Sequence, residues 1–153
     1  MSTPNLTITL QVNETPETVY NAINNVRGWW SEGVEGGTTK LNDEFVYRHK
    51  DMHYSTQKLV ELVPNKKVVW LVTDSHLSFI KKHDEWTGTR VVFDITDNGG
   101  KTQLHFTHEG LTPEVACFDA CTKGWSHYVK ESLLALISTG EGQPDKKALA
   151  ETV

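Results

Sequence analysis

One long amphipathic stretch near the end of the chain limits what the rest of it can be. From Pro113 onward, Val115, Phe118, Cys121 or Thr122, Trp125, Tyr128 or Val129, Leu133, Leu136 and Ile137 return every three or four residues. That spacing predicts a helix over 113–138 with one apolar face, about 36 Å long at ~1.5 Å per residue. Thr112 suits its N-cap and Pro113 its first position, while Gly140 and Gly142 end it. A lone helix with so long an apolar face needs a broad apolar surface to lie on.

The preceding residues offer that surface as strands. "NLTITLQVN" (5–13) alternates, with Leu6, Ile8, Leu10 and Val12 on one side. Strand-like runs follow at 44–49, 54–63, 66–73, 88–97 and 101–108, joined by turn signals such as Pro64-Asn65 and Asp97-Asn98-Gly99-Gly100. Short joints between successive strands predict an antiparallel meander. Residues 74–87 read as either a short strand or a long loop. Between the first strand and this meander, "TPETVYNAINNV" predicts a helix capped by Thr15, with Pro16 at its first position and an apolar stripe of Val19, Ala22, Ile23 and Val26. A second short helical turn over 27–31 is ended by Gly33, Gly36 and Gly37. The order is strand, two helices, about six strands, one long helix. It predicts an α+β fold in which a strongly curved antiparallel sheet wraps around the C-terminal helix, leaving space in the concavity for a cavity or for large side chains.

With 153 residues, 37% of them apolar and 23% charged, the chain suits one domain over 1–142, followed by a polar, flexible tail over 143–153. The net charge of -5 and pI near 5.8 argue against nucleic acid and against anionic membrane surfaces. No run is apolar enough to enter a membrane, and "MSTPNLTITLQVNETP" lacks the basic start and apolar core of a secretory leader. The two cysteines, Cys117 and Cys121, suit a reducing compartment, so a cytoplasmic location is expected.

The segments "TPETVYNAINNVRGWWS", "ELVPNKKVVWLVTDS", "GTRVVFDITDNGGKTQLHFTHEGL" and "GWSHYVKESLLALISTGEG" span most of residues 6–142. In their order and spacing they resemble the START-like superfamily, also called SRPBCC, helix-grip or birch-allergen-like. Within it they resemble the activator-of-Hsp90-ATPase homologue family in its bacterial form. The resemblance implies a hydrophobic cavity between sheet and C-terminal helix. Superfamily members bind lipids, sterols, polyketides or other small apolar molecules, some relatives are cyclases or hydrolases, and the eukaryotic namesake contacts a chaperone.

Alternation and helical spacing give the candidate ligand-binding residues. Trp29 and Trp30 are adjacent and cannot point the same way, so one is expected in the core and the other at a cavity mouth or the surface. Phe45 with Tyr47, Trp70 with Val68 and Val72, and Phe93 with Val91 and Ile95 each share a strand face, as cavity wall or plain core. Leu104 and Phe106 mark the inner face of the last strand and carry His108 inward, either as a group that orients a ligand or as a hydrogen-bonded core histidine. From the long helix, Phe118, Cys121, Trp125 and Tyr128 look toward the sheet, and Tyr128 is a candidate polar partner for His108. His127 and Glu131 read as an exposed pair one helical turn apart. The seven histidines are scattered, with no metal-ligand spacing, and there is no phosphate loop, dinucleotide fingerprint or nucleophile elbow, so no metal or cofactor is expected.

Three functions remain open at this level. The first is binding of a small hydrophobic or amphipathic ligand (lipid, polyketide or aromatic). The second is a protein-interaction module, chaperone-associated or otherwise, signalled by an outward Trp29 or Trp30. The third is a cyclase- or hydrolase-type enzyme in the same cavity with His108 as its titrating group. The balance of the residues lies with binding rather than catalysis.

Overall fold

Alternation in the sequence becomes alternation in burial. On β1 (Leu6–Val12), Leu6, Ile8 and Val12 are buried and Thr7, Thr9 and Gln11 exposed; on β7 (Thr102–Glu109), Thr102, Leu104, Phe106 and His108 are buried. The computed structural model describes residues 5–49, 53–78, 81, 83–112 and 118–145. After β1 come α1 (Pro16–Asn24), α2 (Val26–Trp29), β2 (Glu35–Gly36), β3 (Glu44–His49), β4 (His53–Val63), β5 (Lys67–Leu77), β6 (Arg90–Asp97) and β7. The strands form one seven-stranded sheet in the order β1-β7-β6-β5-β4-β3-β2, with every neighbouring pair antiparallel. This is the α+β helix-grip architecture expected, with β1 joining the far edge beside the last strand. The β4–β5 pairing shifts register twice, at Thr56/Gln57, where Thr73 of β5 is the extra residue, and at Leu59/Glu61, where Val60 of β4 is; such irregularities add the bend that curves a sheet.

Local chemistry accounts for the first helix. Thr15 Oγ1 accepts the Thr18 N–H at 3.2 Å, Pro16 occupies the first turn, and Val19, Ala22 and Ile23 are buried. The 74–87 segment, strand or loop by its sequence, divides in two. Residues 74–77 continue β5. The 83–89 stretch turns back onto that strand, with Leu77 N–H bonded to the His83 carbonyl and Gly88 N–H to that of Val72. Trp86 is thereby buried. The short helix after α1 starts one residue earlier and ends two residues earlier than expected, and two residues of the glycine-rich stretch behind it pair with β3 as β2.

The C-terminal helix departs most from expectation. Its predicted start at Pro113, with Cys117, falls in 113–117, outside the described residues. From Phe118 the helix is continuous but not uniform: α3 (Phe118–Trp125) opens into a π-helical segment (Ser126–Leu133) and closes as α4 (Leu134–Thr139). The reason is visible in the buried positions, Cys121, Trp125, Val129, Leu133 and Ile137, which recur every four residues. A pure α-helix turns about 40° too far in each four-residue step and would carry that stripe well off the sheet within a few turns. The wider π turn takes back the excess. Gly140, in the left-handed region at φ 86°, ends the helix.

The first residues of the expected tail, 143–145, are hydrogen-bonded to the fold. Gln143 N–H donates to Ser132 Oγ (2.7 Å), Asp145 N–H to the Trp30 carbonyl (3.0 Å) and Glu32 N–H to the Asp145 carbonyl (2.9 Å). Residues 141–145 form a strap that returns across α2, and 146–153 lie outside the described residues.

Candidate functional site

The five tryptophans of the chain form one connected set of rings. Trp29 and Trp30 both face Trp70, at 6.1 and 5.7 Å between centroids, and Trp30 meets Trp125 at 5.1 Å; Trp86 stacks on Trp125 at 5.7 Å. Trp29 is core. Its ring is fully buried against Trp70 and Phe93, and its indole N–H donates to the Ile23 carbonyl at 3.1 Å. Trp30 is also buried, with Tyr47 stacked on it at 4.1 Å. Neither ring is offered at the surface, which removes the sign expected of an interaction module.

Beyond Trp30 the packing opens into a cavity of about 230 Å³ between β3, β4, the 83–89 segment and the C-terminal helix. Tyr47 and His49 reach it from alternate positions of β3. His53, opposite His49 in register, reaches it from β4, and Trp86 forms another wall. The helix contributes Ala120, Cys121, Gly124, Trp125 and Tyr128. Of the residues picked from the sequence, Trp30, Tyr47, Cys121, Trp125 and Tyr128 line this space. Trp29, Phe45, Trp70, Phe93 and Phe106 do not. Their rings pack on one another and fill the inner end of the concavity, confining the cavity to the other end. Phe118 is half-buried against the core, off the cavity.

His108 lies behind the cavity wall and is not paired with Tyr128. Trp125 Nε1–H donates to its Nδ1 (3.0 Å), and Thr89 Oγ1 lies 2.8 Å from its Nε2. The Thr89 hydroxyl donates onward to the Trp86 carbonyl at 2.6 Å. An indole N–H can only donate, so Nδ1 is an acceptor, Nε2 carries the proton and the imidazole is neutral. Burial, with the neighbouring His53, lowers its pKa to about 3. Both nitrogens are committed to holding Trp125 and Trp86 in place. His108 is therefore a hydrogen-bonded core histidine that positions two cavity walls, and the enzyme reading loses the group it was built on.

The polar groups of the cavity sit elsewhere. His53 packs edge-on to Trp86 at 4.5 Å and bonds Ser55 Oγ at 3.1 Å; burial first, then His49, keeps its pKa well below the usual histidine range. At the other side, Tyr128 donates to Asp145 Oδ2 at 2.7 Å, Tyr47 lies 3.0 Å from that same oxygen and 3.0 Å from the Tyr128 hydroxyl, and His49 Nδ1 is 3.1 Å from it. Burial, reinforced by Asp145, raises both phenol pKa values well above the usual tyrosine range, so both remain proton donors. Sequence reasoning missed Trp86, His49, His53 and Asp145. The alternation Phe45-Tyr47-His49 was a usable signal for His49. Trp86 lies in 74–87, which reads from sequence as either strand or loop, and Asp145 lies in what reads as a polar tail. His127 and Glu131 form the exposed pair expected, at 3.4 Å.

The sequence matches the Activator of Hsp90 ATPase homolog 1-like protein family over residues 13–138, most of its length. The chain belongs to this family. No curated protein matches it. Several bacterial proteins of solved structure are similar to this family member. The Aha1 dimer of Colwellia psychrerythraea is 21% identical with a TM-score of 0.72, over 90% of this chain and 98% of that one. The Mll3558 protein of Rhizobium loti is 17% identical with a TM-score of 0.69, over 87% and 95%. The SSP2350 protein of Staphylococcus saprophyticus is 12% identical with a TM-score of 0.63, over 93% and 99%. At these identities the likeness is one of fold. Among the described residues no helix is long and apolar enough to cross a membrane, and no group of three or more metal-ligating side chains is present.

Proposed function

We propose that this family member binds a small, flat, largely apolar molecule in the aromatic cavity. The observation that carries the reading is the cavity itself: about 230 Å³, walled by Trp30, Tyr47, Trp86, Trp125 and Tyr128, with a few polar groups at its edges. An apolar cavity of about 150 Å³ accommodates benzene, so this one suits a body of one or two rings rather than a sterol or an acyl chain. A ligand that size buries about 150–250 Å² and gains about 4–6 kcal/mol at ~25 cal/mol per Å², before the cost of association. Those gains correspond to dissociation constants between about tens of micromolar and millimolar as an upper bound on affinity, before that cost is subtracted. The acidic charge and reducing-type cysteine usage suit such a role in the cytoplasm.

The test is titration of neutral aromatic probes, indole and 1-naphthamide, followed by tryptophan fluorescence and amide chemical shifts. A Gly124→Leu variant plugs the cavity. A Cβ at Gly124 meets only the Tyr128 ring, at 3.9 Å, and leucine is the better helix former. The reading expects binding to the wild type, with shifts around Trp30 and Trp125, and its loss in the folded Gly124→Leu protein. Equal binding by the plugged variant, or no binding of either probe to the wild type, refutes it.

A further inference from the structure

We infer that the cavity's ligand is an acid: a compact aromatic or apolar body bearing one carboxylate, whose site Asp145 of the chain itself now fills. The inference rests on the ligand-binding reading above and adds the chemistry of the ligand's polar end. Three cavity-lining side chains, Tyr47, His49 and Tyr128, converge on a single oxygen, Asp145 Oδ2, at 3.0, 3.1 and 2.7 Å. Asp145 is not itself a wall of the cavity. Its carboxylate is delivered from outside, by a strap.

That strap needs no carboxylate to dock. Backbone bonds fix it, from Asp145 N–H to the Trp30 carbonyl and from Glu32 N–H to the Asp145 carbonyl, with Gln143 N–H on Ser132 Oγ as a third tie. The Asp145 side chain is thus an addition to an already anchored segment, and its oxygen marks where the phenols and the imidazole direct their protons. Phenol and imidazole N–H groups match a carboxylate oxygen. Among the described residues the cavity wall holds no lysine or arginine, so the site suits a monoanion rather than a phosphate dianion. The Tyr47 ring also stacks on Trp30, so its hydroxyl lies at the end of the aromatic slot, where a ring held in the slot would project its acid.

A tethered carboxylate competes at high effective concentration. Removing it is expected to raise acid affinity by about tenfold or more. The experiment compares 1-naphthoate with neutral 1-naphthamide by calorimetry on the full chain. In Asp145→Ala, naphthoate is expected to bind about tenfold tighter than to the wild type, with naphthamide changed by less than about threefold. Adding Tyr47→Phe and Tyr128→Phe to Asp145→Ala should abolish that gain. Asp145→Asn, equal in size and a weaker acceptor, should move naphthoate in the same direction by a smaller factor, and serves if the alanine variant does not fold. Naphthoate affinity unchanged in both variants overturns the proposal, as does an equal gain for acid and amide, which would make Asp145 a steric plug. Naphthamide binding without any acid preference in any variant overturns the acid site and leaves the cavity reading standing. Failure of both probes everywhere overturns the cavity reading and the acid site with it.

Discussion

His108 should make this protein acid-labile by a calculable amount. Its ring is fully buried and neutral, accepting from Trp125 and donating to Thr89, and its folded pKa is about 3 against an unfolded value of 6.5. A lowered histidine pKa means that the unfolded chain takes up the proton first. Stability from this group is therefore complete above pH 6.5, falls as pH drops from 6.5 toward 3, and loses nothing more below 3. Between pH 7.5 and pH 5.0 the linkage integral for one such site is about 2 kcal/mol. The measurement is urea denaturation at both pH values, followed by fluorescence of the buried tryptophans. The control is His108→Gln, whose amide can still accept from the Trp125 N–H and donate to Thr89 but does not titrate. His53 and the carboxylates titrate in both proteins, so the difference between their pH dependences isolates His108. The wild type should lose about 2 kcal/mol more than His108→Gln over this interval. Equal losses would refute a buried neutral imidazole at this position.

Two further predictions concern the strap. Ser132 is fully buried, donating to the Trp29 carbonyl at 2.6 Å and accepting from Gln143 N–H; Ser132→Ala strands both partners and should cost about 1–3 kcal/mol in urea unfolding, with faster hydrogen exchange at Gln143. Gly142 lies so close to the Gly28 carbonyl that an added Cβ would collide with it, so Gly142→Ala should lift the strap. Exchange at the Glu32 and Asp145 amides should accelerate while the β6 and β7 amides stay protected; unchanged protection at Glu32 would show that the strap docks independently of that close approach.

Most of the fold was legible because period-two burial needs only local information. Leu104, Phe106 and His108 were placed on one inner face from alternation, and all three are buried there. Thr15 and Pro16 announced α1 through cap chemistry that acts within one turn. What was not legible depends on distant partners. The π segment cannot be seen in helix propensity, because it answers to where the sheet needs Val129 and Leu133. Asp145 reads as one more tail acid until Trp30 and Glu32 supply backbone partners more than a hundred residues away. For the site, alternation found the faces but not which rings fill the concavity. Phe93 and Phe106 share an inner face with His108, and their mutual packing at 5.3 Å decides that this end is core.

The adjacent tryptophans tie these features together. Both rings reach the sheet, stacked on each other at 6.2 Å and both on Trp70; Trp29 also packs on Phe93, and Trp30 on Tyr47 and Trp125. The sheet covers both rings, while the π segment and the strap hold the α2 backbone, through Ser132 on the Trp29 carbonyl and Asp145 N–H on that of Trp30. Trp30 is therefore a cavity wall by its ring and a strap anchor by its backbone. Any displacement of the strap acts on the residue that shapes the aromatic slot, and any ligand seated against that ring feels the strap's position. The 141–145 strap and the aromatic cavity thus meet at one residue, Trp30, through its carbonyl on one side and its ring on the other.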